Sequence, residues 1–337
     1  MTKTGVLLVN LGTPKSASIK DIRSYLNEFL LDKRVIDINF IFRLLLVKGF
    51  ILPFRPYKII KSYEKIWSKA GSPLLIHTEN LAKSLQKELG SEFLVDFAMR
   101  YGNPGIPAAL PQFKKCQRLL LIPLYPQYAS SASGSTIAKV YEIAQQYWDP
   151  IPINVLYHFY NKPGFISSIA NMIREKQREY SWDHLLFSYH GLPQRHMQKS
   201  ACKNIEENCK KDSCPPESKS KNTCYRFQCY ETTRLIANEL DLAAPSFSVG
   251  FQSRLGRTPW ITPYTDKMLE GLYQRGVRKL AVITPSFTSD CLETIEEIGI
   301  RLKEQWLQFS DTEFLRIECL NSRADWVQAL AKLVKRI

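Results

Sequence analysis

A chain of 337 residues with 45% hydrophobic and 12% aromatic side chains is too apolar for a disordered protein and too long for one small core, so two domains of ordinary size are expected. Its 46 Lys and Arg against 32 Asp and Glu give a formal charge of +14, which favours an anionic partner such as a phospholipid headgroup, a nucleic acid or a carboxylate-bearing ligand. No apolar run reaches the ~20 clean residues of a membrane span and no cleavage site follows the first one, so the eight cysteines are read in a reducing cytoplasm, where clustered thiols bind metal more often than they pair.

The first predicted strand is GVLLVNL (5–11), which runs directly into loop and helix signals. Residues 36–66 follow, mixing apolar and basic side chains without strand alternation. Further short apolar runs come at FLVDFAM (93–99), RLLLIPLY (118–125) and INVLYH (153–158), with helical patterns between them. The rhythm then repeats at HLLFSYH (184–190), FSVGFQS (247–253), KLAVITPSF (279–287) and FLRIECL (314–320), broken by a charged, proline-containing stretch at 199–229 that holds five cysteines. Near-continuous apolar strands alternating with helices predict parallel sheets covered on both faces. Each half is therefore expected to be a doubly wound, Rossmann-like α/β unit with four strands, over 1–162 and 163–337. The third strands end alike, LLLIPLYPQYASS beside LAVITPSFTSDCL, which suggests a distant duplication.

Ligands of open parallel sheets bind beyond the carboxyl ends of strands, so the residues there are the candidates. His190 closes one strand ahead of Gly191-Leu192-Pro193; alone, it is as well explained by a hydrogen bond at a strand end. Asp290, Glu293 and Glu297 lie at i, i+3 and i+7, a spacing that puts three carboxylates on one α-helical face and invites a cation. Helix capping accounts for Asp290 and Glu293 by another route. Ser253, Arg254, Arg257, Trp260 and Tyr264 follow the FSVGFQS strand, where guanidiniums and a flat ring suit a planar acid, although a helix-leading loop with a packed tryptophan has the same composition. Arg100, Tyr101, Tyr125 and Tyr128 stand at equivalent ends in the first half. No P-loop, dinucleotide fingerprint or serine-hydrolase elbow is present, and no nucleic-acid motif accompanies the charge.

In order and spacing, LLVNLGTP, FAMRYGNP, PLYPQYASSASGS, FSYHGLP, FQSRLGRTPWITPYTD and SFTSDCLETIEEI resemble the ferrochelatases over almost the whole chain. The resemblance implies insertion of ferrous iron into protoporphyrin IX in a cleft between two Rossmann-like domains. It puts His190 and Glu293 on the active-site histidine and glutamate, with Asp290 and Glu297 extending an acidic row. Leu11, Arg100, Tyr101, Tyr125, Ser253 and Trp260 are then expected to meet the porphyrin. Leu11 stands where relatives acting on coproporphyrin carry tyrosine, and Cys291 where animal relatives carry histidine. Metal insertion needs a carboxylate to attract the cation and a base for pyrrole protons. Glu293 is assigned to the metal and proton path, and His190 to taking a proton or to ligating iron.

Two further expectations concern the interruptions. Residues 39–57 are expected to form a lip over the cleft that touches an anionic membrane surface through Ile41, Leu44, Leu45 and Leu46, with Arg43, Lys48, Arg55 and Lys58 facing headgroups. The cysteine-rich stretch is expected to carry a [2Fe-2S] cluster on Cys202, Cys209, Cys214 and Cys224, with Cys229 left out.

Overall fold

Two all-parallel sheets of four strands organise the chain, as seen in a computed structural model that describes residues 3–200, 223–256 and 258–337. The first contains β1 (Thr4–Thr13), β2 (Phe93–Gly102), β3 (Arg118–Pro123) and β4 (Ile153–Val155) in the order β2-β1-β3-β4. The second contains β5 (His184–His190), β6 (Phe247–Gln252), β7 (Lys279–Ile283) and β8 (Glu313–Arg316) in the equivalent order β6-β5-β7-β8. Central strands with no polar face have to be covered on both sides: Val6 to Val9 in β1 and Leu185 to Phe187 in β5 are fully buried. Each such side chain contributes roughly 1.5–3 kcal/mol of burial free energy.

The covering helices follow from amphipathic spacing. Helix Ile19–Leu31 starts where Ser18 accepts the Asp21 N–H at 3.2 Å, and it buries Ile22, Tyr25, Leu26 and Leu30. The third strand of each sheet is followed by a π-helical stretch, Ser130–Gly134 after β3 and Glu293–Leu302 after β7. Such turns are rare and concentrate at functional sites. A third, Leu46–Ile51, joins helices Phe40–Leu45 and Leu52–Ile66.

Two units result, one of residues 1–125, 130–158 and 321–337, the other of residues 126–129 and 159–320. The chain passes between units at 125/126, 129/130, 158/159 and 320/321. The last helix, Ala324–Arg336, packs on helix Pro73–Leu89 of the first unit, because Trp326, Val327, Leu330, Ala331 and Val334 form an apolar stripe that the first unit buries.

Candidate functional site

In the second unit the strand order reverses between β5 and β7, and the crevice beyond their carboxyl ends is where α/β sheets bind ligands. His190 sits there with its backbone fixed on both sides. Its N–H donates to Ser286 Oγ at 3.0 Å and its carbonyl accepts from Tyr225 OH at 2.8 Å. Gly191 donates its N–H to Gln252 O at 2.8 Å. A Cβ on Gly191 would stand 2.8 Å from that same oxygen, so only glycine lets the chain turn here. The imidazole Nδ1 lies 2.6 Å from Gly191 O. A carbonyl can only accept, so Nδ1 carries a proton, which leaves Nε2 as the ring nitrogen able to present a lone pair to a proton or a metal. Trp260 and Phe287 flank the ring, with centroids 6.5 and 6.2 Å away. The Trp260 indole N–H donates to Leu255 O at 2.9 Å, which fixes the plane of its ring.

Asp290 and the two glutamates are held by different partners. The π-helix begins at Glu293, so the 3.6-residue period that aligned positions 290, 293 and 297 does not apply. Asp290 lies outside it, buried, 2.6 Å from Arg316 Nη1 and accepting from Thr294 Oγ1 at 2.8 Å. Gly299 makes room for that arginine, since a Cβ there would meet Arg316 Cδ at 3.0 Å. Asp290 thus anchors the segment through Arg316 and Thr294. Glu297 accepts from Ser253 N–H at 2.8 Å and Ser253 Oγ at 2.5 Å. Ser253 adopts φ of 66°, a conformation uncommon for a side-chain-bearing residue, and it turns both donors onto one carboxylate. Ser253 therefore holds the Glu297 carboxylate. Glu293 remains half-buried at the head of the π-helix. Burial, and then the Glu293 carboxylate beside it, push the Cys291 thiol well above its usual range, which removes it as a nucleophile. Among the described residues no three His, Cys, Asp or Glu side chains gather closely enough to hold a metal ion. A cavity of about 220 Å³ has Ser253, Arg254, Asp266, Glu297, Arg301 and Gln305 in its wall.

In the first unit, β1 and β2 bring the NLGTP and MRYGNP segments side by side, with Gly12 opposite Tyr101. Gly12 has φ of 115°, and a Cβ there would overlap Tyr101 O at 1.8 Å. Leu11 is half-buried beside it. Arg100 Nη2 lies 2.7 Å from Asp32 Oδ2, and Arg100 Nε donates to Ser135 Oγ at 2.8 Å. Tyr101 is wholly buried against Phe29, its centroid 5.1 Å away, with its hydroxyl donating to Asp32 at 2.9 Å. It has no surface to offer a ligand, so its expected contact becomes a supporting one. Tyr125 likewise has a buried hydroxyl, and burial raises its phenol pKa. Sequence reasoning missed Asp32 and Ser135. An acidic residue directly after a helix, where the dipole disfavours negative charge, was the available signal.

Of the expected cluster ligands, Cys202, Cys209 and Cys214 lie outside the described residues. Cys224, 2% exposed, immediately precedes helix Tyr225–Glu239, and Cys229 is buried within that helix, where burial pushes its thiol well up. The charged stretch thus ends before 229, and its last two cysteines are packed ones. In residues 39–57, Phe40, Ile41, Phe42, Leu45, Leu46, Phe50, Phe54 and Tyr57 are exposed, and Leu44 is half-buried. Arg43 is buried and donates to Ile36 O and Ile38 O at 3.1 and 3.0 Å, which withdraws it from any headgroup. Lys48 and Lys58 remain exposed.

A sequence model named Ferrochelatase matches residues 3–337. Curated relatives include a ferrochelatase of Legionella pneumophila strain Philadelphia 1, 44% identical over 334 residues and 98% of each chain. Another, of Coxiella burnetii strain Dugway 5J108-111, is 45% identical over 336 residues, 99% of this chain and 94% of its own. Among solved structures, the cobalt complex of the sirohydrochlorin chelatase SirB from Bacillus subtilis subspecies spizizenii aligns with a TM-score of 0.52 at 9% identity, over 99% and 94% of the two chains. CbiX, the terminal enzyme of sirohaem biosynthesis in denitrifying bacteria, aligns with a TM-score of 0.51 at 13% identity, over 98% of each. These two share the fold.

Proposed function

The chain belongs to the ferrochelatase family and inserts iron into a porphyrin for haem synthesis, and on that premise we propose that protoporphyrin IX is the acceptor and that His190 and Glu293 carry the exchange. One ferrous ion enters and two pyrrole protons leave. Glu293 draws the cation toward the macrocycle, His190 Nε2 receives one pyrrole proton, and the other leaves along the Glu293 carboxylate. The observation that carries this reading is the Nδ1 to Gly191 O contact of 2.6 Å, which leaves Nε2 as the ring's only acceptor. Trp260, next to that ring, supplies a flat wall for a macrocycle. Walls that favour a bent porphyrin expose its nitrogen lone pairs and bind the transition state better than the flat substrate. Arg100, held by Asp32 and Ser135, and Leu11 are further proposed to meet the porphyrin; the apolar Leu11 favours protoporphyrin over coproporphyrin.

Anaerobic insertion assays with ferrous and cobaltous ions, each against both porphyrins, test this directly. His190→Ala and Glu293→Gln are expected to lower turnover by roughly 10²–10⁴, with porphyrin fluorescence quenching retained in Glu293→Gln. Near-wild-type turnover in either variant would end its assignment, and faster turnover of coproporphyrin would end the choice of substrate.

The reading includes a cytoplasmic enzyme whose lip rests on an anionic membrane surface; no described helix is long and apolar enough to cross one. It also includes a [2Fe-2S] cluster on Cys202, Cys209, Cys214 and Cys224. Five thiols in one short stretch support it, and the described ligand, Cys224, is shielded from water as a cluster ligand would be. Anaerobically purified protein should then be coloured and contain equal iron and acid-labile sulfide; zinc or no metal would refute the cluster.

A further inference from the structure

Gln252 closes β6 and is 5% exposed, yet its side-chain amide is engaged at both ends. Oε1 accepts from Ser188 Oγ at 2.8 Å, and that hydroxyl is itself 2.8 Å from Thr265 Oγ1. Nε2 donates to Glu293 O at 3.1 Å and to Glu297 Oε2 at 3.4 Å. Its backbone is the register partner of His190, and its carbonyl receives the Gly191 N–H at 2.8 Å. One buried side chain therefore joins the strand end bearing His190 to the first turn of the π-helix bearing Glu293, and to Glu297. The amide is oriented by the Glu293 carbonyl and the Glu297 carboxylate, because reversing it would set Oε1 against two acceptors.

We propose that Gln252 is a positioning residue for metal insertion, setting the placement of the Glu293 turn relative to His190. The proposal rests on the assignment of those two residues as the reacting groups. A carboxylate and a base exchanging a metal ion for protons must both meet the same macrocycle, and a misplacement of about 1 Å is enough to cost on the order of 100-fold in rate. Glu293 has no strand to locate it; Asp290 anchors the segment before it, and the tie from Gln252 to its carbonyl is the one that links it to the strand pair ending at His190. Ser253 extends the same device by holding Glu297.

Two substitutions separate positioning from packing. Gln252→Met keeps length and volume but makes no hydrogen bond. It is expected to lower kcat by about 10–100-fold while the porphyrin KM changes less than about twofold, and amide exchange over residues 293–298 should quicken. Gln252→Glu opposes the Glu293 carbonyl and Glu297 when ionised but donates one hydrogen bond when protonated. Its activity relative to wild type should therefore rise as pH falls, a dependence that lost packing would not create. Wild-type kcat in Gln252→Met, unchanged exchange over 293–298, or a Gln252→Glu profile parallel to wild type would each overturn the proposal. If Gln252→Met fails to fold, Ser188→Ala, which removes the hydrogen bond to Gln252 Oε1 together with the Ser188–Thr265 contact, takes its place with a smaller loss of kcat expected, and Thr265→Val, which removes the Thr265 hydroxyl alone, is the control. Full activity in His190→Ala or Glu293→Gln would instead strike the assignment of reacting groups, and the exchange data would still decide whether Gln252 holds the turn.

Discussion

Asp32 places a negative charge just past the end of helix Ile19–Leu31, where the helix dipole opposes it. Four donors make the position tenable: Arg100 Nη2 and Arg34 N–H at 2.7 Å, Tyr101 OH at 2.9 Å, and the Ser135 hydroxyl. Burial works against the charge, and these bonds outweigh it, so the carboxyl titrates below its ordinary value. The sign of the pH effect follows. Above the unfolded carboxyl pKa of about 3.9 the contribution to stability is fully present, and it is lost as pH falls through the lower folded value. Asp32→Asn is therefore expected to cost about 3 kcal/mol at pH 7, in the range for breaking a buried ion pair, with the gap to wild type closing in acid. Urea unfolding of both proteins at pH 7 and pH 3 checks this; an equal gap at both would show that the ion pair is not the source. The same variant frees Arg100 and should raise the porphyrin KM.

At the scale of elements, the lip carries the clearest consequence. Asn39 accepts the Ile41 N–H at 3.0 Å and starts helix Phe40–Leu45, and the π-turn Leu46–Ile51 then alters the helical phase before helix Leu52–Ile66. The outcome is an apolar face with Phe42 67% and Phe50 70% exposed, while Val47 and Leu52 turn inward. Isolated exposed apolar residues are ordinary, whereas a contiguous aromatic set on one segment marks an interaction surface. With Lys48 and Lys58 beside it, the chemistry suits anionic lipid, at about 1 kcal/mol for each basic residue close to the surface. Flotation with acidic vesicles should recover the wild type, and Phe42→Ser with Phe50→Ser should lose most of that recovery with the fold intact. Equal recovery with neutral vesicles, or unchanged recovery of the double variant, would remove the lip as the contact. Arg43→Ala is expected to act differently, by releasing the carbonyls of Ile36 and Ile38 and destabilising the segment.

On the scale of the whole molecule, the last helix belongs to the unit the chain began with. Trp326 is fully buried there, and the carbonyl of Ile337 accepts from Arg118 Nη1 at 2.9 Å, tying the terminus to the start of β3. Trp326→Ala is expected to cost about 3–5 kcal/mol, the range for emptying a large aromatic site, and thermal unfolding of the intact chain measures it; a change below about 1 kcal/mol would mean the helix is dispensable. By itself the sequence determined the eight strands, the paired α/β architecture, and His190 at the end of β5. Burial on both faces requires continuous apolar runs, and sites in such sheets follow strand ends. The alignment of Asp290 with Glu293 and Glu297, the exposure of Arg43 and Tyr101, and the unit to which the last helix belongs were decided only by tertiary structure. A helical period read from spacing assumes 3.6 residues per turn, which the π-helix at Glu293–Leu302 breaks. Whether a charged or phenolic side chain faces solvent depends on partners distant in the chain, as with Asp32 and Ser135 for Arg100, 68 and 35 residues away, and the amide of Gln252 finds its partners only when β5 and the π-helix meet it at the end of β6.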